Sequence, residues 1–332
     1  MQEVSVLKSI LNNFGEFYEF GEPQTYKNLT IIPIISKGAL HEPEFILIDD
    51  AEEQGLVKVE ELPSARVEAV SVTSNANVDV LIPAFVNLKA GLQNRLIFEP
   101  FLIPATQEEP ITMTVEVRCI EAGRWHPISR GSGELKMKVA KEYTAPRLLR
   151  TLALKEKFLP QRSVWSMASA YLVSYDVSSS TADLTAVFER KSDEVDEYVR
   201  NFKSVEGQVG AAIFINGEFM ALELYGSPRA WERVAEKVAR TFALDALRFK
   251  KKEKYDVKVP DFGEMDFEII ETKKRGAGDA IRFRSKDGNL YGIALCRRES
   301  LYYLFVAPVR TKEKDTLEEM ASRMARTRPS IL

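Results

Sequence analysis

The stretch GLQNRLIFEPFLIPATQEEPITMTVEVRCIEAGRW, residues 91–125, decides how the chain is read. Residues 96–103 and 111–120 are apolar and β-branched, the composition of strands. Consecutive strands usually neighbour each other, so the two runs are expected to pair antiparallel across the connection 104–110. That pairing would bring the Arg95 end beside the Glu121 end. Each end carries a polar cluster: Gln93, Asn94 and Arg95 on one side, Glu121, Arg124 and Trp125 on the other.

Working back toward the N-terminus, strand-like runs recur at 29–35, 45–48, 57–62, 67–73 and 78–84, and a further one follows at 135–139. Pro33 marks the first as an edge or a bulged strand. Residues 4–14 repeat Val4, Leu7, Ile10, Leu11 and Phe14 at helical spacing, with Gly15 as the stop. Asp49-Asp50-Ala51-Glu52-Glu53 reads as a helix start, with Asp at the cap and acids in the first turn. Strand after strand with little helix predicts a β-rich, sandwich-like half over residues 1–143.

After Tyr143 the pattern changes. Helical spacing appears from Leu148 to Phe158, over 164–175 and, with Ser180 and Asp183 at capping-box spacing, from Leu184 to Phe202. Ala211–Ile215 and 219–224 flank Asn216-Gly217, the strongest hairpin signal in the chain. Ser227-Pro228 opens a helix with Trp231, Val234, Ala235, Val238 and Phe242 on its apolar stripe. A lysine-rich link at 249–258 leads to four strands, 267–272, 280–284, 290–296 and 301–306, and a helix over 312–326 with a basic end. The fold class expected is therefore α+β: a β-rich domain, 1–143, packed tightly on an α+β domain, 144–332, built on a central hairpin with covering helices.

Composition narrows the chemistry. The 332 residues carry a net charge of -3 with 45% hydrophobic and 29% charged residues. A balanced surface gives no general pull toward nucleic acid or an acidic membrane. No apolar run reaches the length of a membrane span, and Met1-Gln2-Glu3-Val4 lacks the basic start of a signal peptide. A soluble, cytoplasmic protein is expected. Cys119 and Cys296 sit far apart in apolar runs, as buried free thiols do. With only two histidines, His41 and His126, a His/Cys zinc site is nearly excluded. No metal and no cofactor are expected. The chain has neither a Gly-x-Ser-x-Gly elbow nor a phosphate loop.

What remains is a set of polar groups beside glycines. Arg95 and Arg124 could each fork onto a carboxylate or phosphate. Gln93, Asn94 and Gln208 could read an amide or base edge, and Trp125 could stack on a flat ring. For a hydrolase, Glu121 is the one acid or base inside the central stretch. The competing reading is a buried network in which Arg95 or Arg124 pairs with Glu121 and satisfies loop carbonyls.

These pieces also carry a resemblance. Gly91-Leu92-Gln93-Asn94-Arg95, Glu121-Ala122-Gly123-Arg124-Trp125, the Ser180 to Leu184 segment, Gly207-Gln208-Val209-Gly210, Asn216-Gly217, Leu224-Tyr225-Gly226-Ser227, Gly276-Ala277-Gly278 and Gly292-Ile293-Ala294-Leu295 occur in this order over nearly the whole chain. In these motifs the chain resembles the uncharacterised bacterial and archaeal family named after its association with ADP-ribosylglycohydrolases and rhodanese-phosphatases. It departs at Val86-Asn87, where the family often has Glu-Glu, at Leu92 in place of Lys, and at Tyr303-Leu304 in place of His-Leu. The resemblance implies a place near NAD or ADP-ribose metabolism. A nucleotide-like ligand bound or processed at Gln93, Asn94, Arg95, Glu121, Arg124, Trp125 and Gln208 is the first expectation. A non-catalytic binding or scaffolding module, with a homodimer as its default form, is the second.

Overall fold

A computed structural model describes residues 2–124, 136–156, 158–249, 255–309 and 320–321. The fold is α+β and rich in strands, arranged in three sheets. The largest, nine strands, runs Tyr18–Phe20, Leu29–Ser36, Gln208–Ile215, Glu218–Tyr225, Ser300–Pro308, Leu290–Arg297, Gly278–Ser285 and Phe267–Arg275, with Gln24–Tyr26 also paired to Leu29–Ser36. It thus draws strands from both sides of residue 143.

The hairpin at its centre is buried on both faces. Asn216 and Gly217 take φ of 53° and 79°, the two positive values a type I′ turn requires. Ala211, Ile213 and Ile215 face one way and pack with Trp231, Val234, Val238 and Phe242 of the helix Pro228–Arg248. Ala212 and Phe214 face the other way, onto Leu7, Ile10 and Leu11 of the helix Gln2–Asn12. Alternation along a strand thus fixes which helix covers which face. Truncating Phe242, fully buried, to Ala would cost about 3–5 kcal/mol.

The second sheet has seven strands in the order Ile111–Glu116, Ala69–Ser74, Val57–Arg66, Lys136–Thr144, Val86–Ala90, Arg95–Ile97 and Arg118–Cys119. A three-stranded sheet joins Phe101–Ile103, Asp79–Ile82 and Phe45–Leu47. Here the central stretch departs from expectation. Residues 96–103 form two strands in different sheets, because Pro100 offers no N–H to a ladder and restricts Glu99 before it. Residues 111–120 also divide: 111–116 pair with Ala69–Ser74, and only Arg118–Cys119 meets Arg95–Ile97. The antiparallel pairing exists, with Cys119 opposite Arg95, but it is two residues long.

Smaller corrections have local causes. The first helix ends at Asn12 and Gly15 lies inside a second short helix, Phe14–Phe17. The helix expected over 184–202 is two, Thr185–Arg190 and Ser192–Val199, separated at Lys191. The helix Ile48–Glu53 has no side-chain cap; Asp49 and Asp50 sit in its first turn and pair instead with Lys237 and Arg233 of the long helix. The helix expected over 312–326 lies outside the described residues apart from Met320 and Ala321. Among the described residues no helix is long and apolar enough to cross a membrane.

Candidate functional site

Segment 91–95 is held between two buried carboxylates. On one side is Glu61, from Val57–Arg66. Both its oxygens take Arg95 Nη2, at 2.9 and 2.8 Å, and Oε1 also accepts the Leu92 N–H at 2.9 Å. Neither side chain of that ion pair is exposed at all. Arg95 Nη1 donates to the Val67 carbonyl at 2.5 Å, so the guanidinium is spent inside the protein.

On the other side is Glu121. Its Oε2 accepts the Asn94 N–H at 3.0 Å and Arg124 Nη2 at 2.7 Å; its Oε1 accepts Arg124 Nε at 2.9 Å and the Thr181 hydroxyl at 2.7 Å. Arg124 Nη1 donates to the Gly91 carbonyl at 2.8 Å. Gln93 Nε2 donates to the Glu121 carbonyl at 2.9 Å. Arg124 and Glu121 are 6% and 5% exposed. The arrangement is therefore the buried network, with Arg124 as the partner of Glu121 and Arg95 as the partner of Glu61.

A third segment closes the knot. Gly123 N–H donates to the Thr181 carbonyl at 2.8 Å, and a Cβ on Gly123 would stand 2.9 Å from the Thr181 Cα. Glycine is needed here for close approach. Asp183 Oδ2 accepts Asn94 Nδ2 at 2.9 Å and the Thr185 hydroxyl at 2.6 Å, while Oδ1 takes the Thr185 N–H at 3.0 Å. The N-cap position of the helix Thr185–Arg190 is Leu184, with no side-chain cap, so the expected Ser180 box does not form; Asp183 serves the Thr185 N–H from outside the cap, and the Ser179 hydroxyl accepts the Asp183 N–H.

Two carboxylates of the knot, Glu121 and Asp183, are shifted in opposite directions. Burial by itself would raise Glu121, but the hydrogen bonds from Arg124, the Asn94 N–H and Thr181 outweigh it and hold the group below its ordinary value. Asp183 is raised, first by burial and further by the charge of Glu121, against the pull of Thr185 and Asn94. Cys119 lies against Gln93 and Arg95, and burial pushes its thiol up to about 12. It is an inert core thiol.

Gln208 stands elsewhere, in the nine-stranded sheet. Its Oε1 accepts the Val205 N–H at 3.0 Å and its Nε2 donates to the Gly210 carbonyl at 2.8 Å. It lines a cavity of about 720 Å³ that the sequence did not reveal. Ile31 and Ala211 of the sheet form its floor. The N-terminal half of the helix Pro228–Arg248, with Trp231, Glu232, Ala235 and Glu236, forms one wall. The helix Ser192–Val199 and residues 200–204 form the other. Gln24 clamps the far wall by bonding both the N–H and the carbonyl of Lys203, at 2.8 and 2.7 Å. Arg240 reaches Asp196 at 2.5 Å and Glu236 at 3.0 Å.

Trp125 and His126 lie outside the described residues. His41 Nδ1 is 3.2 Å from the Ser300 hydroxyl. Among the described residues no group of three His, Cys, Asp or Glu side chains could hold a metal. At the three departures from the family pattern, Asn87 is fully buried with neither amide atom hydrogen-bonded among the described residues, the Leu92 N–H serves Glu61, and the Tyr303 hydroxyl donates to Glu223 at 3.0 Å. Glu223 also takes Arg150 Nη1 at 2.8 Å and the Tyr225 hydroxyl at 3.1 Å, another buried ion pair the sequence did not reveal.

Glu61 had a legible signal: Val57, Val59 and Glu61 share the inward phase of one strand, so a carboxylate falls where an apolar residue is due. The cavity had none, because its walls come from segments with no shared spacing.

Comparison with curated proteins and with solved structures gives no match. The sequence profile of the ARG and Rhodanese-Phosphatase-superfamily-associated Protein domain matches residues 17–306, from the first strand of the large sheet nearly to the end of Ser300–Pro308. The match takes in all three segments of the knot and both walls of the cavity, and the chain belongs to this family.

Proposed function

We propose that the protein binds a nucleotide-like small molecule, related to NAD or ADP-ribose, in the cavity beside Gln208, and that its role is recognition. The cavity itself carries the reading. At about 720 Å³ it falls in the range of roughly 300–1,000 Å³ that small-molecule sites occupy, and it joins an apolar floor to a few charged groups at the rim. Arg200 and Lys203 suit a phosphate. The family's name, taken from its association with ADP-ribosylglycohydrolases, supports the ligand class. The charged groups of the knot serve architecture in this reading.

Thermal-shift measurements with NAD, ADP-ribose and AMP test it. A ligand at a hundredfold over its dissociation constant should add about 2.7 kcal/mol of apparent stability. The variant Arg200→Gln/Lys203→Gln should remove that gain while keeping the unliganded midpoint. No shift with any of the three, together with elution above monomer size, would favour the scaffolding role instead.

A further inference from the structure

We infer that the cavity selects a ligand that carries separated charges of both signs: a phosphate group at one end and a positive ring or ammonium at the other. The inference rests on the ligand-binding reading above and deepens it.

Seven charged side chains line the cavity. Arg240, Asp196 and Glu236 satisfy one another. Among the described residues Asp193, Arg200, Lys203 and Glu232 form no ion pair. That leaves two carboxylates and two cations for a ligand. A uniformly anionic molecule gains attraction from one pair and repulsion from the other, so the net pull is small. A molecule with its own separated charges engages all four.

The two cations follow the helix Ser192–Val199, while one carboxylate lies on the facing helix and the other at the start of Ser192–Val199. Arg200 and Lys203 sit together after the helix Ser192–Val199, at the wall clamped by Gln24. Glu232 lies on the facing helix. Asp193 lies at the start of Ser192–Val199, roughly 10 Å along the helix axis from Arg200 at 1.5 Å per residue. Arg200 Nε donates to the Asp196 carbonyl at 3.2 Å, which steadies the guanidinium and leaves its terminal nitrogens for phosphate. An oxidised nicotinamide dinucleotide carries both charges, a central diphosphate and, one ribose away, a positive ring. The reduced dinucleotide has the same size but a neutral ring, and ADP-ribose has no ring there.

Calorimetric titration of the full chain with the oxidised dinucleotide, the reduced dinucleotide and ADP-ribose tests the inference. The oxidised form should bind at least about threefold more tightly than either of the others, from two exposed charge contacts. Asp193→Asn/Glu232→Gln should bring the three to parity, and all four positions are exposed, so the fold is kept. Arg200→Gln/Lys203→Gln should weaken all three alike. Equal binding of the three ligands by the unmodified chain, or a preference that survives Asp193→Asn/Glu232→Gln, overturns the charge selection and leaves the ligand-binding reading standing. Failure of all three to bind overturns both.

Discussion

In the knot around residues 91–95, charged side chains meet opposite charges away from water: Arg95 with Glu61, Arg124 with Glu121. Along the cavity, four of the seven charged side chains stand in water without an ion partner among the described residues. The residue types are the same and their settings are opposite. A buried pair is fixed by the cost of stranding either member. An exposed, uncommitted charge costs the fold almost nothing and stays available to a ligand. Location relative to water, more than residue type, separates the paired charges from the uncommitted ones in this protein.

The sharpest way to break the contrast is to strand a charge in the knot. Arg95→Met leaves Glu61 buried without its cation, and urea denaturation should show a loss of about 3–5 kcal/mol. Arg124→Ala should cost somewhat less, about 3 kcal/mol, because Glu121 keeps the Asn94 N–H and the Thr181 hydroxyl. An unchanged midpoint for either variant would move that arginine to the recognition side.

The pH dependence sharpens the comparison further. Glu121 is held below its ordinary value when folded, so its contribution is fully present above the ordinary carboxylate range, about pH 4. It is lost as the pH falls through the lowered folded value. Asp183 is shifted upward, so ionising it costs stability above its folded value, and that cost is relieved as the pH falls. Stability followed in acid should therefore lose part of its downward slope in Glu121→Gln. A slope identical to wild type would show that Glu121 is not held ionised by the knot. The smallest effect belongs to the cavity: Lys203→Ala or Glu232→Gln should move the unliganded stability by less than about 0.5 kcal/mol. A larger loss would mean that these charges hold the fold together after all.

How much of this was legible follows from where the information sits. The hairpin was readable because Asn216-Gly217 demands one backbone geometry and its flanks are apolar on successive positions. The meeting of the Gln93 and Glu121 ends was readable from strand adjacency, although the two-residue pairing that achieves it was not. Pro100 could have warned of the break, yet its destination depended on Glu99 finding Arg275 and Arg282 about 180 residues later. Arg95 was readable as a buried or ligand-binding arginine, but its partner Glu61 belongs to a strand whose pairing spacing cannot fix. Gln208 stands out in the sequence beside Gly207 and Gly210; its neighbourhood, a cavity walled by segments 193–204 and 231–240, exists only in three dimensions.

The strand Leu29–Ser36 has a consequence for how the molecule is made. Its partner Gln208–Ile215 lies about 180 residues downstream, Ile31 facing Ile213, so the pairing carries a high contact order. During synthesis at about 5–20 residues per second the partner emerges roughly 10–40 s later. For that interval Ile31, Ile32, Ile34 and Ile35 form an unfinished, aggregation-prone edge. Pro33 interrupts it. In the finished sheet the bulge at Val209 sits beside the place where Pro33 faces Ala211. In the nascent chain the missing N–H makes the edge a poor template for another chain. The imino acid that complicates the folded sheet acts as the gatekeeper of the unfinished one.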